Sequence, residues 1–281
     1  MKNIIACIDG SQSTISTCEG SAWVAKTLDA PLVLFHALDK TTRPVLSEFS
    51  GQIGLGSQEE LLDELAKLDE TRSKIMLEHS HKMLDSAYEW ACRDGVSNVK
   101  KLQRHGSLLE TLSDLTSELR VLVIGKSGEH HSSKNIIGSQ LESVIRAVDE
   151  HILVVSDHFK APHSYMIAFD GSPISQKLID KATRTPLLKG LPCHLTTIDE
   201  SSTKSVAFEQ AKQQLKSAGM EVTAACLNGP IDEALLTYQQ QHKVGMIVMG
   251  AYGHSKLRQV FVGSNTTKVL ANSEVPLLLI R

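Results

Sequence analysis

A pattern of glycines and a serine occurs twice in this sequence of 281 residues, and both instances read Gly-x2-Gly-x9-Gly-Ser. Its members are Gly125, Gly128, Gly138 and Ser139 in the first instance, and Gly250, Gly253, Gly263 and Ser264 in the second. Because glycine has no side chain, a ligand can approach its backbone closely. The Gly-Ser pair precedes a predicted helix, whose free N–H groups and positive dipole end suit a phosphate. The spacing therefore predicts two phosphate sites.

A second repeated motif supplies an acid. Asp9-Gly10-Ser11 matches Asp170-Gly171-Ser172 at an offset of 161 positions, and each follows a short apolar run of strand type. An aspartate in this position can accept hydrogen bonds from ribose hydroxyls. The two motifs together indicate a nucleotide site, with the sugar at the acid and the phosphates across the glycine loop. The alternative is that these residues are only turn residues and helix caps.

The repeats divide the chain into two copies of one domain. The offset falls from 161 positions at the acid to 125 at the glycines, so the first copy is longer by about 36 residues. The predicted domains are residues 1–157, with an insertion at about 40–75, and residues 164–281. Two domains of these lengths are of ordinary size.

The elements that must position these residues alternate between apolar strands and amphipathic helices. In the first copy, strands are predicted at residues 3–8, 31–38, 99–103, 121–124 and 152–156, and helices at 14–28, 58–93, 107–119 and 140–148. The second copy repeats this order and ends on a strand at 276–280. Such alternation predicts an α/β fold with parallel sheets. Sheets of this kind bind ligands beyond the carboxyl ends of their strands, where the strand order reverses.

Composition narrows the class of protein. The chain is 41% apolar and 22% charged, as is usual for a globular protein, and its net charge of −3 does not favour nucleic acid. We expect no membrane span, because no apolar run approaches about 18 residues. Five scattered cysteines without C-x-x-C, and no signal-peptide pattern, favour the cytoplasm. No metal site is predicted, since neighbouring residues such as His130-His131 seldom bind one ion.

These motifs resemble those of the universal stress protein family, in a tandem form that covers nearly the whole chain. The two Asp-Gly-Ser turns, the two glycine loops and the terminal strand Val275–Ile280 carry the resemblance, together with His36-Ala37-Leu38 at the end of the second strand. The resemblance implies two Rossmann-like domains of the adenine nucleotide alpha hydrolase type. Each would have a five-stranded parallel sheet of order 3-2-1-4-5 flanked by helices.

The resemblance also implies a ligand, because family members with the glycine motif typically bind ATP. Carried over position by position, it assigns ribose to Asp9 and Asp170, and adenine to the backbone near Ala37 and Ile198. Phosphates are assigned to Gly125, Gly128, Gly138, Ser139 and Gln140 in the first copy, and to Gly250, Gly253, Gly263, Ser264 and Asn265 in the second. The expected ligand is ATP or another adenine nucleotide, with Mg²⁺ as an optional companion.

The two copies depart from the family pattern in different ways. Glu129 follows Gly128 in the first copy, and Lys126 and Lys134 nearby could offset its charge. The second copy has the polar stretch Cys193–Thr197 where an apolar strand is usual, which weakens its adenine wall.

Three functions stay open at this point. The first is a cytoplasmic stress-response module regulated by a bound adenine nucleotide. The second is a slow ATPase or phosphotransferase, although no catalytic residues are predicted, because Asp9 and Asp170 are already assigned to the ribose. The third is a scaffold whose two sites are empty relics.

Two structural expectations complete the prediction. The terminal strands of the two copies should face each other in an intramolecular pseudo-dimer. Association of two such chains into a homodimer stays open. The insertion should form a loop at residues 40–57 beside the first site, followed by a long helix.

Overall fold

The computed structural model describes residues 2–38, 55–126, 139–198, 202–250 and 264–281. The elements of the first half are β1 (Asn3–Cys7), α1 (Thr14–Leu28), β2 (Leu32–Leu38), α2 (Leu55–Arg93), β3 (Val99–His105), α3 (Leu108–Asp114), β4 (Leu119–Gly125), α4 (Ser139–Ala147) and β5 (His151–Val155). Those of the second half are β6 (Tyr165–Ala168), α5 (Pro173–Ala182), β7 (Cys193–Ile198), α6 (Ser202–Ser217), β8 (Val222–Leu227), α7 (Ile231–Gln241), β9 (Ile247–Gly250), α8 (Ser264–Asn272) and β10 (Leu277–Ile280). Single 3-10 turns lie at Thr116–Glu118 and Pro186–Leu188.

The strands form one sheet of ten, in the order β3-β2-β1-β4-β5-β10-β9-β6-β7-β8. Within each half all pairs are parallel, and each half has the predicted order 3-2-1-4-5. The predicted fold class is thereby confirmed.

The two halves join through their last strands. β5 and β10 pair in antiparallel fashion, with Leu153 opposite Leu278 and Ile152 opposite Leu279. The terminal strands were expected to face each other, and in the structure they are hydrogen-bonded neighbours in the sheet. Two otherwise exposed sheet edges are covered in this way.

Alternation along each strand fills a core on both faces of the sheet. Ile4 and Ala6 point into one core with α1 and α2, while Ile5 and Cys7 point into the other with α3 and α4. Each core continues into the second half, through residues such as Ile167 on one face and Met166 on the other. The sheet therefore holds the carboxyl ends of the strands in each half in fixed positions relative to one another.

Several local predictions needed correction. Helix α1 spans Thr14–Leu28 as predicted, but its N-cap is Ser13, so Ser11 of the Asp-Gly-Ser motif lies in the preceding turn and does not cap it. The helix predicted at 107–119 ends at Asp114, because Leu119 already belongs to β4. The loop predicted at 40–57 lies outside the described residues up to position 54, and α2 begins at Leu55.

No helix within the described ranges is long and apolar enough to span a bilayer.

Candidate functional site

A cavity of about 330 Å³ opens at the carboxyl edge of the second half's sheet. It lies where the strand order reverses, between β6 and β9, because the chain continues from β6 to β7 on one side and returns through β9 on the other. Four residues that the sequence assigned to this site line it, namely Asp170, Ile198, Gly250 and Asn265. They come from four separate segments of the chain, and the topology brings them together at the expected switch point.

Asp170 occupies the turn after β6. Its Oδ1 accepts a hydrogen bond from the backbone N–H of Ser172 (2.9 Å), and Gly171 between them has φ +76°, a left-handed conformation that favours glycine. Ser172 caps α5 by accepting from the Ser175 N–H (3.1 Å). The Asp-Gly-Ser motif therefore performs the turn-and-cap role, and it also holds the carboxylate at the cavity wall.

The charge state of Asp170 follows from the same contacts. Burial pushes the pKa of its carboxyl upward, but the hydrogen bonds from Ser172 and Ser175 outweigh this, and the net pKa lies below its usual value. The group is therefore a carboxylate at neutral pH. A carboxylate accepts hydrogen bonds only, which suits donors such as sugar hydroxyls.

The end of β7 forms a second wall. Thr196, Thr197 and Ile198 line the cavity, and both threonines are buried. The Thr196 hydroxyl donates to the Ile167 carbonyl (3.1 Å), so its polar atom is satisfied within the sheet. The polar stretch Cys193–Thr197 was expected to weaken this wall. At Thr196, however, the buried hydroxyl is hydrogen-bonded, so its burial carries no energetic penalty.

The third wall combines the end of β9 with the start of α8. Gly250 is the last residue of β9, and Asn265 and Thr266 lie in the first turn of α8, which begins at Ser264. The helix therefore directs its N-terminal end, with its positive dipole, at the cavity. Gly253 and Gly263 lie outside the described residues.

Gly250 has a packing reason to be glycine as well. A Cβ added there would lie 3.2 Å from Cγ2 of Ile174 in α5. That distance is tighter than ordinary van der Waals contact, so a side chain would push α5 away from β9. Gly250 therefore meets two requirements: the close approach of a ligand that the sequence suggested, and the close packing of α5 on β9.

Several lining residues escaped the sequence analysis. They are Ile174 of α5, the segment Gly229-Pro230-Ile231 that enters α7, Met249 and Thr266. Gly229-Pro230 follows the third strand of the second half, and its φ of +102° at Gly229 marks the turn. A Gly-Pro pair between a strand and a helix is a turn signal that could have identified this wall.

The first half places the equivalent residues at the carboxyl ends of its own strands, which lie at the opposite edge of the ten-stranded sheet because β5 and β10 are antiparallel. Asp9 follows β1, Ala37 lies in β2, and Gly125 ends β4. Ser139 begins α4 and Gln140 is exposed in its first turn, whereas Gly128 and Gly138 lie outside the described residues.

The turn at Asp9 repeats the geometry of the second half. Asp9 Oδ1 accepts from the Ser11 N–H (3.0 Å) and from the Thr14 hydroxyl (3.4 Å). The neighbouring His36 differs from its counterpart Thr197, because its Nδ1 lies 2.6 Å from the Ile8 carbonyl oxygen. The two sites thus share the acid turn and differ in the strand beside it.

Lys126 does not act as the sequence analysis suggested. It was expected to offset Glu129 at the first glycine loop, but its ammonium donates to the carbonyls of Ala271 (2.8 Å) and Ser273 (3.0 Å) at the end of α8. It is therefore engaged across the junction with the second half. Glu129 and Lys134 lie outside the described residues.

Metal ligands do not cluster in the described ranges, where no three His, Cys, Asp or Glu side chains are placed to hold an ion.

Fold and cavity together define a tandem α/β protein with two Rossmann-like halves. The profile of the universal stress protein family matches residues 1–156 and 164–281, and the chain belongs to this family. Universal stress protein Slr1230 of Synechocystis is 30% identical over 287 residues and is matched along 100% of both chains. Universal stress protein YxiE of Bacillus subtilis is 25% identical over 143 residues, which are 41% of this chain and 97% of YxiE. The crystal structure of a universal stress protein from Archaeoglobus fulgidus shares the fold, with a TM-score of 0.74 at 15% identity, covering 99% of this chain and 96% of that one.

Proposed function

We propose that this protein is a cytoplasmic stress-response module that binds an adenine nucleotide, with ATP the preferred candidate. The observation that carries the proposal is the cavity of about 330 Å³, which is lined by Asp170, Ile198, Gly250 and Asn265. Its volume lies within the roughly 300–1,000 Å³ of small-molecule sites.

Each wall of this cavity has a chemistry that fits one part of a nucleotide. The Asp170 carboxylate would accept hydrogen bonds from the ribose hydroxyls. The end of β7, with buried Thr197 and half-buried Ile198, lines the cavity together with Ile231 and offers apolar surface and backbone groups for the base. The N-terminal end of α8 would attract the phosphates, and Mg²⁺ could accompany them.

Family membership supports the same proposal for the first half. The complete Gly-x2-Gly-x9-Gly-Ser motif occurs in both halves. Asp9, Ala37, Gly125 and Gln140 stand at the corresponding edge of the sheet. We therefore assign a second nucleotide site to the first half.

We propose that the protein binds the nucleotide and does not catalyse its hydrolysis or the transfer of its phosphate. Phosphoryl transfer needs a group that holds the metal and another that orients the nucleophile. In the cavity as described, Asp170 is the only carboxylate, and the proposal already uses it for the ribose. The nucleotide would then act by changing the conformation or the partner of the protein.

The test is to identify what the protein retains. The full chain is purified without added nucleotide and denatured, and the released ligand is identified by mass spectrometry. We expect an adenine nucleotide in the wild type and none in the double variant Gly138→Asp/Gly263→Asp. A wild type that neither releases nor takes up any adenine nucleotide would contradict the proposal. Phosphate release beyond one turnover, above the same double variant, would instead establish an ATPase.

A further inference from the structure

The long helix α2 carries an interaction surface that the nucleotide sites do not use. It has 39 residues, and at 1.5 Å per residue it extends about 58 Å. Among the side chains that the structure describes in α2, from Asp63 onward, those of the second part pack on the sheet through Ser80, Leu84, Ala87 and Ala91, which form one buried stripe at intervals of four and three residues. The remainder of the helix must therefore be stable for another reason.

The first part of the helix stands free of both halves within the described chain. From Asp63 to His79 every side chain is exposed except Leu65, which is half-buried. Leu68 and Ile75 are 65% and 62% exposed. Exposed side chains of this size on an isolated helix lack the apolar packing from which most helical stability comes.

Three apolar residues and one arginine share one face of this part of the helix. Leu65, Leu68, Arg72 and Ile75 follow one another at intervals of three, four and three residues, which is the spacing of a coiled-coil seam. The seam is rotated by roughly a quarter turn or more from the stripe that packs on the sheet, given 3.6 residues per turn. It can therefore contact another helix while α2 remains attached to its own sheet.

We propose that this seam pairs in antiparallel fashion with the same seam of a second copy of the chain. The spacing is symmetric about position 70, so Leu65 would face Ile75 of the second copy and Leu68 would face Arg72 of the second copy. The methylene groups of an arginine cover apolar surface while the guanidinium stays at the rim. The result is a dimer with two outer layers of leucine and isoleucine and two inner layers of leucine and arginine, in which the guanidinium groups reach the rim.

Charge favours the antiparallel orientation over the parallel one. Residues 63–70 hold four acidic side chains and one basic, whereas residues 71–82 hold three basic and one acidic, together with His79 and His81. An antiparallel pair places the acidic part of each helix beside the basic part of the other. A parallel pair would place like charges side by side, which is unfavourable. Within each helix, Glu70 also pairs with Lys74 of the same chain (2.8 Å).

The first test is the mass of the full chain. Sedimentation equilibrium over a dilution series should give twice the chain mass of 30.7 kDa for the wild type. The variant Leu68→Glu/Ile75→Glu should sediment as a monomer. Leu77→Glu is the matched control, because Leu77 is an exposed leucine on the opposite side of the helix, and it should remain a dimer.

The second test fixes the orientation. Cys92 and Cys226, the two exposed cysteines, are first replaced by serine. Leu65→Cys and Ile75→Cys proteins made in this background should form a disulfide-linked dimer when mixed and oxidised, and much less when oxidised separately.

Two results would overturn the proposed dimer, and a third would overturn its orientation. One is a wild type that is monomeric throughout the dilution series, which would leave the seam to another occupant. The other is a dimer that persists in Leu68→Glu/Ile75→Glu. Cross-linking of Leu65→Cys protein mainly with itself would contradict the antiparallel arrangement. Circular dichroism verifies in each case that the variant is folded.

Discussion

Asp170 shows how one residue serves both the fold and the site we propose. Its Oδ1 is held by the Ser172 N–H, which fixes the carboxylate at the cavity wall. Its lowered pKa keeps it ionised at neutral pH, so it can accept hydrogen bonds from a sugar without first losing a proton. A turn residue with no ligand would not need to line a cavity.

The substitution Asp170→Asn tests this at the residue scale. The amide keeps an oxygen for the Ser172 N–H but loses the charge, and a hydrogen bond to a charged group contributes about 1.5–3 kcal/mol. We expect ATP affinity at the second site to fall by roughly 10- to 150-fold. The measurement is calorimetric titration in a Gly138→Asp background, in which only the second site remains.

Asp180→Asn is the matched control. Asp180 lies in α5 of the same half and accepts a hydrogen bond from Gln214 (2.6 Å), but it does not line the cavity. Its replacement should leave the affinity unchanged. Equal affinity in Asp170→Asn and the parent protein would remove Asp170 from the site.

At the scale of elements, the contact between α5 and β9 decides how glycine is used at position 250. Ile174 approaches the backbone there so closely that a methyl group would meet its Cγ2 at 3.2 Å. Because Gly250 has no side chain, it both forms part of the cavity wall and lets α5 pack closely on β9.

We predict that Gly250→Ala destabilises the fold by about 1–3 kcal/mol, the usual cost of overpacking. In an Ile174→Ala background the same change should cost less, because the opposing Cγ2 is gone. Urea unfolding of the four proteins gives both numbers. An equal cost in the two backgrounds would mean that Ile174 is not the obstacle.

The elements also show what the sequence could predict. The alternation of strands and helices and the facing of the two terminal strands followed from the repeat and from apolar strand patterns. The strand order followed from the resemblance to the universal stress protein family. Asp170, Ile198, Gly250 and Asn265 could be predicted to converge, because each lies at the carboxyl end of a strand or the start of a helix.

Other features depend on contacts between distant segments, and the sequence does not display these. The Ile174 contact with Gly250 depends on how α5 packs on β9. Lys126 reads as a loop cation, yet it contacts residues about 145 positions further on. In the sequence, the apolar residues on the exposed face of α2 have the spacing of a stripe that faces a core. The structure shows that, among the described side chains of α2, the sheet covers those of its second part.

The whole molecule is built on one continuous sheet that carries the two proposed sites. The β5–β10 ladder joins the halves, and two further contacts reinforce it. Lys126 caps the end of α8, and the Ser156 hydroxyl donates to the Glu274 carbonyl (2.7 Å). Because both cores cross the junction, we expect a single cooperative unfolding transition.

The substitution Lys126→Met should weaken that junction. It leaves the carbonyls of Ala271 and Ser273 without this partly buried donor, at a cost of about 1–3 kcal/mol. Thermal or urea unfolding measures the loss. The control is Lys2→Met, because Lys2 pairs with Glu150 in a largely exposed ion pair that should contribute about 0–1 kcal/mol. Equal effects of the two substitutions would contradict the junction role of Lys126.

The central claim is that each half binds a nucleotide through its glycine loop. Calorimetric titration with ATP compares the wild type, Gly138→Asp, Gly263→Asp and the double variant. Aspartate at these positions adds a side chain and a negative charge beside the start of α4 or α8, where phosphate would bind. Gly219→Asp is the control for a glycine-to-aspartate change outside the two loops, since Gly219 precedes the amino end of β8 and a side chain there meets open space. Its left-handed φ of +80° adds backbone strain, so circular dichroism of this variant also controls for strain.

We predict two sites in the wild type and in Gly219→Asp, one in each single loop variant, and none in the double variant, with all five proteins folded by circular dichroism. Equal binding by the wild type and a folded double variant would mean that the glycines are only turn residues and that the nucleotide assignment is wrong.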